Sequence, residues 1–355
     1  MVKLSLCMIV KNEKAFLEEC LLSVQGLVDE IVIVDTGSSD KTKEIALKFG
    51  ARVYDFEWCD DFSLARNESL KYATGDWILV LDADEVIAKE DFGTLKNAIN
   101  NKKFLGYSLI HRNYTNDQRA SEWRSNKNDN YRESLVADGW WEANIIRLFI
   151  NEKQVKFEGL VHETVDEALS SLGEISFLEV PIHHYGKLDI TKLKEKYKLY
   201  EKIGKKKLID DNFNSYYELG RQCAESGKLL EARDYLLKAV ELKKDFFDSL
   251  FMLGTVYLML DDLNNAELYL LKAKDIKADF SILFSNLGVV LIKQKKYEEA
   301  ILNFRKAVKL NINDAKSYKN LGLCLDELGR KEEAYLAFKK AINLNPKYKE
   351  SIKLG

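Results

Sequence analysis

Over the first half of the chain, short unbroken apolar runs alternate with stretches in which apolar residues recur every three or four positions. Residues 52–58 read as a strand, and residues 4–10, 31–34 and 77–81 are runs of the first kind. They read as strands buried on both faces, as in a parallel sheet. Phe16, Leu17, Cys20, Leu21 and Val24 keep helical spacing after the first run. A second helical stretch runs to Phe49 and is closed by Gly50; a third carries Ala65-Arg66-Asn67 and ends at Gly75. Strand and helix in alternation, with short loops, predict a doubly wound parallel sheet. Residues 144–150 and 155–157 predict a hairpin, and the polar stretch 111–141 predicts a long loop.

The second half carries a different period. Gly220, Gly254, Gly288 and Gly322 are 34 apart, as are Ala232, Ala266, Ala300 and Ala334, and again Ala239, Ala273, Ala307 and Ala341. Leu219, Leu253, Leu287 and Leu321 precede the glycines. Small residues at this strict period are the mark of tetratricopeptide repeats, helix pairs that stack into a solenoid. Pro346 closes the last repeat, and no capping helix is expected after Lys347, so another chain is expected to cover the final face and give a homodimer. The division expected is 1–188 for the sheet domain, 189–212 for a lysine-rich linker helix and 213–355 for four repeats. Leu193, Tyr197, Tyr200 and Ile203 form the apolar stripe of that linker helix. Its basic face suits an anionic partner or, more simply, solvent.

Composition narrows the class. A net charge of −3 argues against nucleic-acid binding. No run reaches about 18 apolar residues, so no membrane span and no membrane association are expected. The first ten residues are too short an apolar run, with no cleavage pattern, for a signal peptide. Cys7, Cys20, Cys59, Cys223 and Cys324 show no paired or metal-ligand spacing and read as buried thiols of a cytoplasmic protein.

The candidate chemistry gathers at strand ends. The run Asp-Trp-Ile-Leu-Val-Leu-Asp-Ala-Asp-Glu (76–85) leaves Asp82 and Asp84 at the C-terminal end of a buried strand, where open α/β sheets bind ligands. Two carboxylates on one side suit Mn²⁺ or Mg²⁺, which in turn hold phosphates. Asn12, Glu13 and Asp35 also follow strand ends and are expected to share that crevice. No G-x-G-x-x-G follows the first strand and no G-x-x-x-x-G-K-[ST] occurs, so phosphates must be held by other means. The same gap disfavours a nucleotidyltransferase.

Four motifs in this order, Cys-Met-Ile-Val-Lys-Asn-Glu (7–13), Glu-Ile-Val-Ile-Val-Asp-Thr-Gly-Ser-Ser-Asp (30–40), Asp-Phe-Ser-Leu-Ala-Arg-Asn (61–67) and the 76–85 run, resemble family 2 glycosyltransferases. The resemblance implies an α/β GT-A fold, a nucleotide-diphosphate sugar donor and inversion at the anomeric centre. It implies that Val10, Asn12, Glu13 and Asp35 hold the nucleobase and ribose, with Arg66 beside the base or the diphosphate. It further implies that Asp82 and Ala83 line the donor site and that Asp84 ligates the cation. Taken alone, Arg66 could equally be a surface cation paired with Asp61.

Further along, Gly-Leu-Val-His-Glu-Thr (159–164) lies where the family keeps its general base, a carboxylate that takes the acceptor proton. The sequence is not a zinc-protease motif, since Asp166 stands where a second histidine is needed. Many members have Glu-Asp here; this chain has His162-Glu163. Glu163 is the expected base, with His162 orienting it or contacting phosphate on the acceptor side. Asp138 and Glu142 compete for the role, and a structural Glu163 pairing with Arg147 is the bland reading. Trp140 and Trp141 are candidate acceptor contacts, against a core role for one and sheet-edge cover for the other. In Pro-Ile-His-His-Tyr-Gly (181–186), His184 matches the family's metal-shell histidine better than His183. The expected activity is a metal-dependent transfer to a peptide, protein or glycan acceptor, with the repeats docking the acceptor or pairing two chains. The alternative is an inactive sugar-nucleotide-binding scaffold that recruits partners.

Overall fold

The computed structural model describes residues 2–101, 103–117, 123–127, 129–159, 163–207 and 213–352. The chain divides into two compact units, 1–117 with 126–193, and 118–125 with 194–355. The dividing line at 193/194 falls inside the lysine-rich helix Ile190–Lys207.

The first unit runs β1 (Leu4–Val10), α1 (Leu17–Ser23), β2 (Glu30–Asp35), α2 (Thr42–Lys48), β3 (Arg52–Asp55), α3 (Phe62–Tyr72), β4 (Trp77–Val80), β5 (Glu85–Ile87) and α4 (Phe92–Ile99). It continues through β6 (Gly106–Thr115), then past the two-residue strand β7 (Arg124–Ser125) to β8 (Gly139–Ile150), α5 (Asp166–Leu172) and β9 (Ile175–His184). The sheet order is β3-β2-β1-β4-β8-β6-β9-β5. β1, β2, β3 and β4 are parallel, as their apolar runs predict. Leu4, Leu6 and Met8 pack with Leu17 and Leu21 of α1 on one face, and Cys7 packs with Val32, Ile78 and Phe149 on the other.

Beyond β4 the sheet is mixed. β8 joins β4 and β6 antiparallel, and β9 runs parallel to β6 but antiparallel to β5. The loop expected over 111–141 is shorter, because β6 continues to Thr115 and β8 begins at Gly139. Half-buried strand positions tolerate polar side chains, and His111 to Asn113 and Trp141 to Ala143 therefore read as loop. The expected hairpin is also replaced: 144–150 is the end of β8, and 155–157 forms no strand. Phe157 is held instead by both amide atoms of Asn67, at 2.8 and 2.9 Å.

Residues 129–137 are pinned over the sheet. The Arg112 guanidinium lies between the rings of Tyr131 and Trp140, at 4.8 and 4.2 Å, and donates to Asp129 at 2.8 Å. Tyr131 Oη donates to the buried Asp91 at the start of α4. Burial pushes the Asp91 carboxyl up to about 6. Of the five cysteines, Cys7, Cys20, Cys223 and Cys324 are buried and free, but Cys59, in the irregular stretch after β3, is exposed. That corrects its assignment to the core.

In the second unit each repeat is a helix pair: α7 and α8 (Phe213–Glu225, Leu229–Leu242), α9 and α10 (Phe247–Met259, Leu263–Ile276), α11 and α12 (Ser281–Lys293, Tyr297–Leu310), and α13 and α14 (Ala315–Glu327, Lys331–Leu344), with Ile190–Lys207 as α6. The period has a steric cause. A Cβ at Gly220 or Gly254 would meet Leu236 or Leu270 at 2.6–2.8 Å, and one at Gly288 or Gly322 would meet the ring of Phe304 or Phe338 at 2.5–2.6 Å. The turn inside each repeat also repeats: Gly227, Asp261, Lys295 and Gly329 all have positive φ. A four-residue helix, α15 (Tyr348–Ser351), follows the last pair and packs Tyr348 and Ile352 against it. The final repeat is thus partly covered by its own chain, which corrects the expectation of no capping segment.

Gly288→Ala should lower stability by about 1–3 kcal/mol, the usual cost of forcing a methyl into a packed core. Lys295→Gly should raise it by about 0.5–1 kcal/mol by relieving a left-handed residue. Urea midpoints of the two variants check both signs. Asp91 gives a pH effect. Its folded value lies above its ordinary one, so its contribution is fully present in acid and is lost as pH rises through about 6. The stability of the parent relative to Asp91→Asn should therefore fall between about pH 4 and pH 7; thermal melts across that range would show a constant difference if the Asp91 carboxyl were not shifted.

Candidate functional site

β1, β2 and β4 end side by side, so the loops that follow them share one edge of the sheet. Val10 is in register with Asp35. Asp35 is fully buried; its Oδ1 accepts the N–H groups of Gly37 and Ser38 at 2.9 and 2.8 Å. Its Oδ2 is buried with no partner. The loop after β1 is fastened to the loop after β2. Asn12, at φ 57°, donates its N–H to Ser38 Oγ and accepts from the Ser39 N–H, and Glu13 N donates to Thr42 Oγ1. The Val10 carbonyl accepts from Thr36. Val10, Asn12 and Glu13 therefore shape the loop, while Asp35 supplies the waiting acceptor.

The acidic elbow follows β4. β4 stops at Val80, so Asp82 and Asp84 lie on a turn rather than on one side of a strand. The Asp82 N–H donates to Glu85 Oε2 at 2.8 Å, and the Glu85 N–H donates to the Asp82 carbonyl at 3.1 Å. β5 then pairs with β9, which sets Glu85 opposite His184. β6 lies on the other side of β9 and sets Asn113 opposite the same histidine. Register alone thus gathers the end of the elbow, His184 and Asn113. Ala83 is buried beside them.

Charged side chains join these parts in one chain of contacts. Arg66, on α3 and buried, donates from Nη2 to Asp82 and from Nε to Glu163, both at 2.6 Å. Arg147, on β8 and buried, reaches Asp82 at 3.2 Å and Glu85 at 3.0 Å. His111 Nε2 lies 2.7 Å from Glu85 and its ring stacks on His184 at 4.7 Å. His184 Nε2 lies 3.5 Å from Asp84 Oδ2, and His184 Nδ1 lies 2.8 Å from Asn113. Burial raises the Glu85 carboxyl, but the Arg147 charge and the His111 hydrogen bond outweigh it, so Glu85 stays below the ordinary carboxylate range. Burial holds His111 below its ordinary value, with Glu85 opposing. Arg66 is buried, yet Asp82 and Glu163 keep it firmly charged. A Cβ on Gly186 would meet Asp84 Oδ2 at 2.2 Å and His184 Nε2 at 2.7 Å, so the backbone runs close beneath this pair.

Several expected placements change. Arg66 is not a surface partner of Asp61, which instead caps α3 by accepting from the Leu64 N–H. Arg147 pairs with Asp82 and Glu85, and Glu163 pairs with Arg66, so the Glu163–Arg147 pair does not form. Asp138 is exposed before β8, and Glu142 sits on β8 opposite Arg112. Trp140 is core: it stacks on Arg112 and donates to Asp129 at 3.2 Å. Trp141 is half-buried and keeps its candidacy; the neighbouring turn Arg132–Val136 exposes Leu135. His162 lies outside the described residues. His183 is wholly buried and meets Tyr114 Oη at 2.8 Å, away from the elbow's carboxylates. The loop bearing Glu163 is closed by paired hydrogen bonds between Glu158 and Thr164, at 2.9 and 3.0 Å. Sequence reasoning missed Glu85, His111, Asn113 and Asn67. Only Glu85, adjoining Asp84, carried a local signal.

Among the described residues, no group of three or more His, Cys, Asp or Glu side chains could hold a metal, and no helix is long and apolar enough to cross a membrane. Asp84 and His184 together offer one oxygen and one nitrogen.

Comparisons with known proteins agree with this architecture. Residues 5–159 match the model of glycosyl transferase family 2. Residues 213–246, 247–280, 281–314 and 315–348 match tetratricopeptide repeat models. A TPR repeat-containing protein of Synechococcus elongatus is 36% identical over 193 residues, covering 52% of this chain and 43% of its own length. The glycosyltransferase SunS of Bacillus subtilis, prophage-derived, is 29% identical over 245 residues, covering 67% of this chain and 53% of its own. An uncharacterized glycosyltransferase of Rickettsia felis is 27% identical over 222 residues, covering 59% and 71%. The chain thus spans about half the length of the first two relatives. The family match ends at 159, short of Glu163 and His184. Residues 5–159 are thus similar to family 2 glycosyl transferases, and residues 213–348 to four tetratricopeptide repeats.

Proposed function

We propose that the chain transfers a sugar from a nucleotide-diphosphate sugar to a peptide, protein or glycan acceptor, with inversion. The observation that carries this reading is the chain of contacts from Asp84 and His184 through His111, Glu85, Arg147, Asp82 and Arg66 to Glu163. It sits at the strand ends where the sheet also leaves Asp35 Oδ2 buried and unpartnered.

Asp35 would accept hydrogen bonds from the nucleoside. Asp84 and His184 would hold Mn²⁺ or Mg²⁺, and the donor set fits. A carboxylate and an imidazole nitrogen converge over a glycine, and imidazole favours Mn²⁺ over the oxygen-loving Mg²⁺. Two protein ligands leave room for water and phosphate oxygens, as such cations require. Bound there, the cation would neutralise charge on the departing nucleoside diphosphate. Arg66 fixes Asp82 and Glu163 in a common frame, and Glu163 would take the acceptor's proton. The repeats would dock the acceptor or pair two chains. The free thiols suit a cytoplasmic setting. A second reading, an inactive scaffold, draws on one observation: Glu163 already serves as a partner to a buried arginine.

A nucleotide-release screen across donors, with and without Mn²⁺, tests the reading. Chelation and Asp84→Ala should each abolish cation-dependent donor binding in calorimetry. Gly186→Ala should fold normally but weaken that binding, because its methyl displaces the ends of Asp84 and His184. Glu163→Gln should leave donor binding intact and cut turnover by about 10²–10⁴, the usual worth of a positioned base. Transfer at the parent rate by Glu163→Gln would move the base elsewhere, and absence of any donor binding would favour the scaffold.

A further inference from the structure

Asn113 is buried in the middle of β6, and its amide lies between two histidines. Its Nδ2 is 3.3 Å from the His111 carbonyl oxygen and 3.3 Å from His111 Nδ1. Its Oδ1 is 2.8 Å from His184 Nδ1. A carbonyl oxygen can only accept, so the amide nitrogen belongs on the His111 side. The amide oxygen then faces His184 and can only accept in turn, so the hydrogen of His184 sits on Nδ1. That leaves His184 Nε2 with a bare lone pair, on the side of Asp84 Oδ2 at 3.5 Å.

The same amide sets the other ring. It donates to His111 Nδ1, which places the His111 hydrogen on Nε2, where it donates to Glu85 at 2.7 Å. The two rings stack at 4.7 Å with 22° between their planes, and the hydrogen bonds to Asn113 and Glu85 set which nitrogen of each faces which neighbour. One amide therefore writes opposite tautomers onto two adjacent imidazoles. Neutral histidine in water favours the hydrogen on Nε2, which would cap the nitrogen that a cation needs. Partners of this kind, holding the far nitrogen of a ligating histidine, set both its orientation and its basicity.

We infer that Asn113 is a positioning residue for the donor's cation, fixing His184 as the Nδ1–H tautomer so that its Nε2 is delivered as a ligand beside Asp84. This rests on the cation reading of Asp84 and His184 proposed above.

The test uses the full chain. Long-range ¹⁵N imidazole spectra of the metal-free protein report the tautomer of each ring, and the chain has only 4 histidines to assign. The expected pattern is hydrogen on Nδ1 for His184 and on Nε2 for His111. Asn113→Leu should release His184 to the Nε2–H form and weaken Mn²⁺ binding, read by calorimetry with the metal alone, by about 10–100-fold. Asn113→Asp keeps an acceptor facing His184 and should keep the Nδ1–H tautomer that Asn113→Leu loses; a merely structural asparagine would leave the His184 tautomer alike in both variants. The inference is overturned by Nε2–H on His184 in the parent protein, a reading available even if neither variant folds. Unchanged Mn²⁺ affinity in folded Asn113→Leu also overturns it. Unchanged Mn²⁺ affinity in Asp84→Ala sinks the cation site instead, and leaves the tautomer result standing.

Discussion

The site depends on a ladder of opposite charges, Glu163–Arg66–Asp82–Arg147–Glu85, whose two arginines and Glu85 are buried. Each arginine is shared by two carboxylates and Asp82 is shared by two arginines, so no rung stands alone. Taking such groups out of water costs several kcal/mol per ion, and the attraction recovers this only when geometry and hydrogen bonds are good. Here the spacings of 2.6–3.2 Å and the backbone N–H of Asp82 on Glu85 meet that condition. Removing one member would leave a neighbouring charge with fewer partners, and the cost would be greatest for the arginines, which are the most enclosed and hold two carboxylates each. The ladder ties α3, the elbow, β8 and the Glu163 loop to one another, although they lie up to 97 residues apart.

How much of this was visible in the amino-acid order depends on range. The acidic elbow and the 34-residue period are local patterns, and both stand in the structure where the chain shows them. The parallel half of the sheet was equally legible, because buried strands announce themselves as apolar runs. The mixed half was not. β6 and β8 carry polar side chains at half-buried positions, and their composition imitates a loop. Asn113, His111 and Arg147 carry no local mark at all. An asparagine gains its importance from lying opposite His184 across 71 residues, a matter of strand register that no window of sequence contains.

Trp140 and Arg66 show the same lesson from the other side. Trp140 was conspicuous as half of a pair, yet its ring serves to hold Arg112 and so to pin residues 129–137. Arg66 matched a motif but not a precise partner; its position on α3 turns inward, where it meets two carboxylates at once. Residue type was informative in both cases, while direction was settled by packing.

The elbow is tied to itself. Asp82 and Glu85 exchange hydrogen bonds through one side chain and one backbone pair, and β5 runs straight on from that knot into the sheet. A turn clamped this way has little conformational freedom left to surrender when a guest arrives. Under the proposed function, a donor captured here would meet a turn already set, and its speed of binding would follow diffusion and the shedding of water rather than the folding of a loop.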